Sequence, residues 1–453
     1  MAKVLLIQPS SIRNRKEAEI NVPMPLVLIY VGSSLEQHEH KVRIIDRDLH
    51  PSNEELKEIL KEEWDFVGLS TFTNPSLYDA IDVSKLVKEN SNSIVVWGGF
   101  HVMSLPEITL KSPYVDYILR GEVEETFPKV LELYEKGKDF SKLRGVNLNP
   151  LAPPPDLDKI PLPNYNLIEL DKYADFSIST SRGCPYRCAF CFNGYEDNKN
   201  MKPYRNLDLD KTVELIKDIV HKYKRKIFTI VDDNFPSDKE RMKRICDEIS
   251  KLNINFNAFC RANNADDETL SYFKKSGCWQ VDMGIESGSQ RILKLLNKGT
   301  TVEMNKQAIK NCKKWGIICN RLIMIGMPTE TLEDIKMTEE LIKETNPQMG
   351  GSSIFYLLPK TKMWDFCKER WELKEPETLE QWADLYPIDW CEPKTNFSEL
   401  SNEEIKAYKI KLDRLLTRWK YIKKMKLYLK NGRFPSYSRI LWVLKEKIKI
   451  NKK

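Results

Sequence analysis

Three of the ten cysteines fall within eight residues, in the run Cys184-Pro185-Tyr186-Arg187-Cys188-Ala189-Phe190-Cys191. Thiols this close read as metal ligands, since the thiolate is the ligating form, with plain core packing as the alternative. A closed tetrahedral zinc site wants a fourth Cys or His nearby. None follows before His221 and Cys246. Three thiolates suit instead a four-iron cluster with one iron left open to a small molecule. Ten cysteines in 453 residues are too sparse for a disulfide scaffold, so free thiols are expected.

Apolar runs alternating with amphipathic stretches must position this loop. Strands are predicted at 4–7, 42–45, 66–70, 94–97 and 115–119, with helices at 26–35, 54–60 and 77–87 between them. That alternation specifies a parallel α/β sheet, whose ligands sit at the carboxyl ends of the strands. Six prolines between 150 and 163 read as a stiff linker. A second series follows, with strands at 176–180, 227–231, 255–260, 280–285, 321–325 and 353–357. Six β/α units suggest a full or partial barrel with its chemistry at the strand ends. The cysteine loop follows the first of these strands.

With this placement the motif gains a family likeness. Cys184-x3-Cys188-x2-Cys191, with Phe190 inside it and Arg182-Gly183 ahead of it, resembles the cluster loop of the radical S-adenosylmethionine enzymes. Met201-Lys202-Pro203-Tyr204-Arg205 is similar to the segment after the cluster, and Asp232-Asp233-Asn234-Phe235 resembles a stretch of the cobalamin-binding branch. The resemblance implies a [4Fe-4S] cluster held by Cys184, Cys188 and Cys191. Its open iron would chelate S-adenosylmethionine, which one electron cleaves to a 5′-deoxyadenosyl radical. It also implies cofactor contacts at the strand ends: Phe190, Asp233 for the ammonium group, Arg261 for the carboxylate, Glu286 and Ser287 for the ribose, and Gly326 for the adenine. The plain alternative for each is a strand-end cap or a buried ion pair. No catalytic acid or base is assigned.

Residues 1–183 contain no cysteine, unlike the methylthiotransferases, whose N-terminal domains carry further cluster ligands. Residues 1–130 resemble the cobalamin-binding domain of the B12-dependent branch, through Gly98-Gly99-Phe100-His101 and Arg120-Gly121-Glu122-Val123-Glu124 among other pieces. This implies a cobalamin rim of Pro9, Ser70, Thr71, Phe72, Gly98, Gly99, His101, Gly121 and Glu122. His101 is expected at the corrin periphery or tail, and Phe72 over the lower face. Asp48-x-His50-x-x-Asn53 nearly matches the D-x-H-x-x-G cobalt-ligand signature. It follows the second strand instead of the first and lacks the glycine, so His50 is not expected to bind cobalt.

The fold class expected is α/β: a Rossmann-like cobalamin-binding domain at 1–145, a proline-rich linker at 146–172, a partial (β/α)6 radical S-adenosylmethionine TIM-type barrel at 173–360, and a helical, basic C-terminal region at 361–453. There Trp364, Trp371, Trp382, Tyr386 and Trp390 read as the packing of a helical cap. Residues 402–453 carry 17 basic and 4 acidic side chains. Two readings of this tail stay open: a packed helix with a solvated basic face, and peripheral docking on an anionic membrane. No nucleic-acid module accompanies the charge. No run approaches the roughly 18 apolar residues of a membrane span, and the first ten residues are too short a match for a signal peptide. A cytoplasmic enzyme is expected.

The reaction the resemblance implies is C-methylation of an unactivated carbon in a small-molecule or lipid-linked substrate. An external reductant such as flavodoxin or ferredoxin would supply electrons. A cobalamin-assisted oxidative cyclase or rearrangement enzyme is the second reading, and a non-catalytic cobalamin-fold sensor or binding module the third.

Overall fold

The apolar runs of the first third become strands with buried residues on both faces, as a parallel sheet covered by helices requires. The computed structural model describes residues 1–11, 22–173, 175–194, 203–347, 349–386 and 392–416. Strands β1 (Lys3–Gln8), β2 (Lys41–Asp46), β3 (Phe66–Ser70), β4 (Ile94–Gly98) and β5 (Tyr117–Ile118) form a parallel sheet in the order β2-β1-β3-β4-β5. Alternate residues sort to opposite faces. Leu6, Phe66 and Val96 pack in one core with helices Leu26–Gln37 and Thr126–Glu135. Leu5, Val67, Val95 and Trp97 pack in the other with Asn53–Leu60 and Ser76–Asn90. The strand order reverses at β1 and β3, so the ligand crevice of such a sheet lies beyond Gln8 and Ser70.

The cysteine loop leaves from β6 (Ser177–Ile178) through a short antiparallel ribbon, β7 (Ser181–Arg182) with β8 (Arg205–Asn206). The second sheet continues with β9 (Ile227–Ile230), β10 (Asn255–Phe259), β11 (Cys278–Glu286), β12 (Ile318–Ile325) and β13 (Met349–Ile354). Its order β13-β12-β11-β10-β9-β6 is parallel throughout and open, a partial six-stranded barrel. Outward residues such as Phe228, Phe256, Val281 and Ile323 meet the helices. A polar row lines the opposite face: Thr229 Oγ1 donates to Asn257 Oδ1 at 2.9 Å, and the Asn257 and Asn320 amides donate to Asp282.

One strand departs from expectation. Residues 353–357 carry the apolar signal, yet β13 runs from Met349 to Ile354 through Gly350, Gly351, Ser352 and Ser353. The reason is tertiary. Helix Asn402–Leu416 lies against this edge, where Ser352 N donates to Asp413 Oδ1 at 2.7 Å and a side chain at Gly350 would meet Leu416 at 2.7 Å.

Helices Lys362–Trp371 and Leu379–Asp384 bury Trp364, Trp382 and Tyr386 in the core, with the Trp364 and Trp382 rings 5.1 Å apart. Trp371 stays partly exposed. Trp390, Met201 and most of the basic tail, from 417 onward, lie outside the described residues. Among the described residues no helix is long and apolar enough to cross a membrane.

Candidate active site

The loop carrying the cysteines is fixed by its own backbone and by both flanks. Cys191 N donates to Cys188 O at 3.2 Å and Gly194 N to Cys191 O at 2.8 Å. A Cβ at Gly194 would stand 2.0 Å from Cys188 O, so only glycine lets the chain close there. Between the cysteines, Ala189 N donates to Leu296 O at 2.7 Å and Ala189 O accepts from Met363 N at 2.8 Å. The start of the loop hangs from Asp232, a fully buried carboxyl that accepts from the amides and hydroxyls of Thr180 and Ser181 at 2.6–3.1 Å.

Burial raises the Cys184 thiol, and it pushes Cys191 up to about 12; the neighbouring thiols and Asp233 add repulsion to both. Such thiols become good thiolates when a cation sits among them. One cation is already adjacent, for Arg261 Nη1 lies 3.2 Å from Cys188 Sγ. No three His, Cys, Asp or Glu side chains among the described residues converge to enclose a single ion.

Arg261 and Lys298 organise the mouth of the barrel. The Arg261 guanidinium stacks 3.8 Å over the Tyr186 ring and donates to the Lys298 carbonyl as well as to Cys188. Lys298 Nζ lies 2.6 Å from Glu286 Oε1, both side chains under a tenth exposed, and 5.8 Å from the Phe190 ring centroid. Glu286 occupies a left-handed backbone conformation (φ 61°). Gly284 makes room for the pair, since a Cβ there would fall 2.2 Å from Glu286 Oε1. Asp233 is exposed beside the cysteines and accepts from Asn193 Nδ2 at 2.9 Å.

Other expected contacts are drawn inward. Ser287 is wholly buried and bonded to Thr338 and to the Ser289 amide, because the chain turns there to pack on helix Leu332–Thr345. Gly326 holds φ 73° while its N–H and that of Met327 donate to Glu330 Oε2 at 2.7 and 3.2 Å. A Cβ on Gly326 would face Ile405 at 3.3 Å.

At the N-terminal sheet, Thr71 N and Oγ1 both donate to Gly98 O, at 2.7 and 2.8 Å. Gly99 has φ 97°, and a Cβ there would stand 2.6 Å from Thr71 O. Leu6, Gly68, Gly98, Gly99 and Phe127 line an apolar cleft at the strand ends together with Ser70. The glycines leave a narrow slot beside the switch point of a 2-1-3-4-5 sheet, the edge at which such sheets bind their ligands.

Pro9 is buried at the end of β1, whereas Gly121 (φ 91°) faces open space. His101, placed at the rim by the sequence, is fully buried behind it, with Nδ1 3.1 Å from Thr73 Oγ1; burial pushes its imidazole down to about 3. His50 has both ring nitrogens engaged, 2.8 Å from Glu55 and from Glu169. Glu122, also expected at the rim, gives both oxygens to Arg182 and Arg205. The Phe72 ring lies tilted 5.0 Å from Phe100, and Phe100 meets Phe192 edge-on at 4.7 Å, so the segment after β4 touches the residue after Cys191.

Comparison with known proteins fits this geometry. Residues 21–131 match the B12 binding domain and residues 178–342 the radical SAM superfamily. The chain is 32% identical over 387 residues to an uncharacterized methyltransferase of Pyrococcus horikoshii, covering 81% of this chain and 83% of that one. The chain belongs to the cobalamin-binding radical S-adenosylmethionine enzymes.

This radical S-adenosylmethionine enzyme is also 27% identical to the anaerobic magnesium-protoporphyrin IX monomethyl ester cyclase of Rubrivivax gelatinosus, over 72% of its length but only 61% of the cyclase. Its fold matches that of the radical methyltransferase TsrM from Kitasatospora setae, with a TM-score of 0.69 and 19% identity over 82% of this chain and 76% of that one. Its cofactors are accordingly a [4Fe-4S] cluster, S-adenosylmethionine and cobalamin. When bound, the cluster supplies the electron for reductive cleavage of S-adenosylmethionine, and cobalamin supplies a cobalt centre for group transfer.

Sequence reading passed over Lys298 and Gly194. Asn297-Lys298-Gly299 places the lysine between two left-handed residues, and that turn was the available signal. Glu330 is fully buried with Oε1 unpartnered, and burial raises its carboxyl to about 8.

Proposed function

We propose that the enzyme is a radical C-methyltransferase of a small-molecule substrate. The observation that carries this reading is the contact of the cobalamin rim with the cluster loop through Phe100 and Phe192, 4.7 Å apart and next to Cys191. Methylation of an unactivated carbon needs the adenosyl radical and the methyl-bearing cofactor in one shared space, and geometry supplies most of such catalysis. The methyltransferase of Pyrococcus horikoshii, similar over most of both chains, supports it. In this reading Cys184, Cys188 and Cys191 hold the cluster, Asp233 receives the ammonium of S-adenosylmethionine, and Arg261 stands by its carboxylate. Pro9, Ser70, Phe72, Gly98, Gly99 and Gly121 surround cobalamin. A flavodoxin or ferredoxin serves as reductant.

The similarity to the Rubrivivax cyclase favours a second reading, radical cyclisation without methyl transfer. Anaerobically reconstituted enzyme with cobalamin, reductant and deuteromethyl S-adenosylmethionine separates the two before any substrate is found. Labelled methylcobalamin formed together with S-adenosylhomocysteine supports methyl transfer. Formation of 5′-deoxyadenosine with neither of those products overturns it.

A further inference from the structure

The two cofactor domains also meet through an ionic network whose carboxylates are covered and whose arginine side chains stay about one-fifth exposed. Glu122 and Glu124 follow β5, and their side chains are 7% and 6% exposed. Arg182 stands directly before Gly183-Cys184, and Arg205 lies on the returning strand; the two are paired across one rung of the β7–β8 ribbon. Arg182 Nη1 donates to Glu122 Oε2 at 2.6 Å and Nη2 to Glu124 Oε1 at 2.7 Å. Arg205 Nη2 donates to the other oxygen of Glu122, while its Nη1 donates to Pro155 O at 2.5 Å. The Arg182 guanidinium also lies 5.0 Å from the ring centroid of Tyr30, on the first helix of the N-terminal sheet.

Withdrawing four charges from water contributes little net stability, because desolvation offsets the attraction. What planar guanidinium forks do impose is direction, since each N–H must meet its own oxygen. Here they take hold of the neck of the cysteine loop, which leaves at Arg182 and returns at Arg205. Phe192 touches Phe100, just past the end of β4 in that N-terminal sheet, from within the loop. The loop is therefore held to that sheet at its neck and again just past Cys191.

We propose that Arg182 and Arg205, gripping Glu122 and Glu124, are positioning residues that set the separation and tilt between the cluster and cobalamin. They act through the loop and the sheet edge that carry the cofactors. The role is the same for methyl transfer and for cyclisation, since either needs the two cofactors in one register.

Electron paramagnetic resonance of the holoenzyme, carrying cob(II)alamin and the one-electron-reduced cluster, tests this. The dipolar coupling of the two spins falls with the cube of their separation. E122Q and R182K are expected to keep wild-type iron and cobalt contents, to lose the single defined coupling of the wild type, and to turn over on the order of 100-fold more slowly, the scale of a 1 Å misplacement. Wild-type coupling in either variant at wild-type metal content overturns the proposal. Should both shed a cofactor, R205K decides, since it leaves the Arg182 contacts in place: a shifted coupling supports the proposal and an unchanged one overturns it.

Discussion

The buried Glu286–Lys298 pair offers the sharpest test of how the barrel mouth is built. Its groups lie 2.6 Å apart with side chains 8% and 7% exposed, so neither charge has water to fall back on. Replacing Glu286 by Gln leaves the Lys298 ammonium buried without its counter-charge. Removing one partner of such a pair costs about 3–5 kcal/mol. At about 2–4 °C per kcal/mol for a domain of 150–250 residues, the barrel transition should fall by roughly 6–20 °C. E286M and K298M should each lose a similar amount, whereas E286M/K298M should recover most of it, because two apolar groups leave no orphan charge. Gly284→Ala belongs to the same test, since its Cβ would stand 2.7 Å from Lys298 Nζ and force the pair apart. The assay is anaerobic differential scanning calorimetry of reconstituted protein, with the double variant closing the cycle. A loss of under about 1 kcal/mol in E286Q, or strict additivity in the double variant, would refute the reasoning.

Two further outcomes follow from the strand ends. Gly99→Ala places a Cβ 2.6 Å from Thr71 O at a backbone of φ 97°, which should destabilise by about 1–3 kcal/mol and strip cobalamin from the purified protein; full cobalt content at the wild-type transition temperature would contradict it. Glu330 has a folded pKa near 8 against an ordinary value of 4.5, so the folded chain holds a proton that the unfolded chain has lost between those values. Stability should therefore decline as pH rises through this window, and E330Q should flatten the decline. Equal slopes for the two proteins between pH 5.5 and 8.5 would show that Glu330 does not carry the effect.

Much of this protein was readable from its chain. The cysteine spacing, the absence of a fourth ligand and the resemblance at Asp232–Phe235 pointed to the cluster chemistry, because a bound iron constrains sequence locally within one loop. The β/α alternation pointed to both sheets for a similar reason: each strand must bury both faces, and this shows as a short apolar run. Edge strand β13 escaped that rule because Gly350 and Ser352 are small for the sake of a helix about sixty residues later, a constraint that leaves no periodic trace.

The rim residues divide along the same line. Gly99 was legible, since a left-handed turn after a strand selects glycine. The fates of Glu122, Ser287 and His101 were not. Each sits at a strand end, where sequence alone allows either a ligand contact or an internal bond, and the choice depends on which side chain arrives from elsewhere. Arg182 and Arg205 reach Glu122 across 60 and 83 residues of chain, and Thr338 reaches Ser287 across 51. Local motifs carried the resemblance that implies the cofactors; only the tertiary fold decided which polar groups remain to face them, because a hydrogen-bonding side chain is committed by its spatial neighbours.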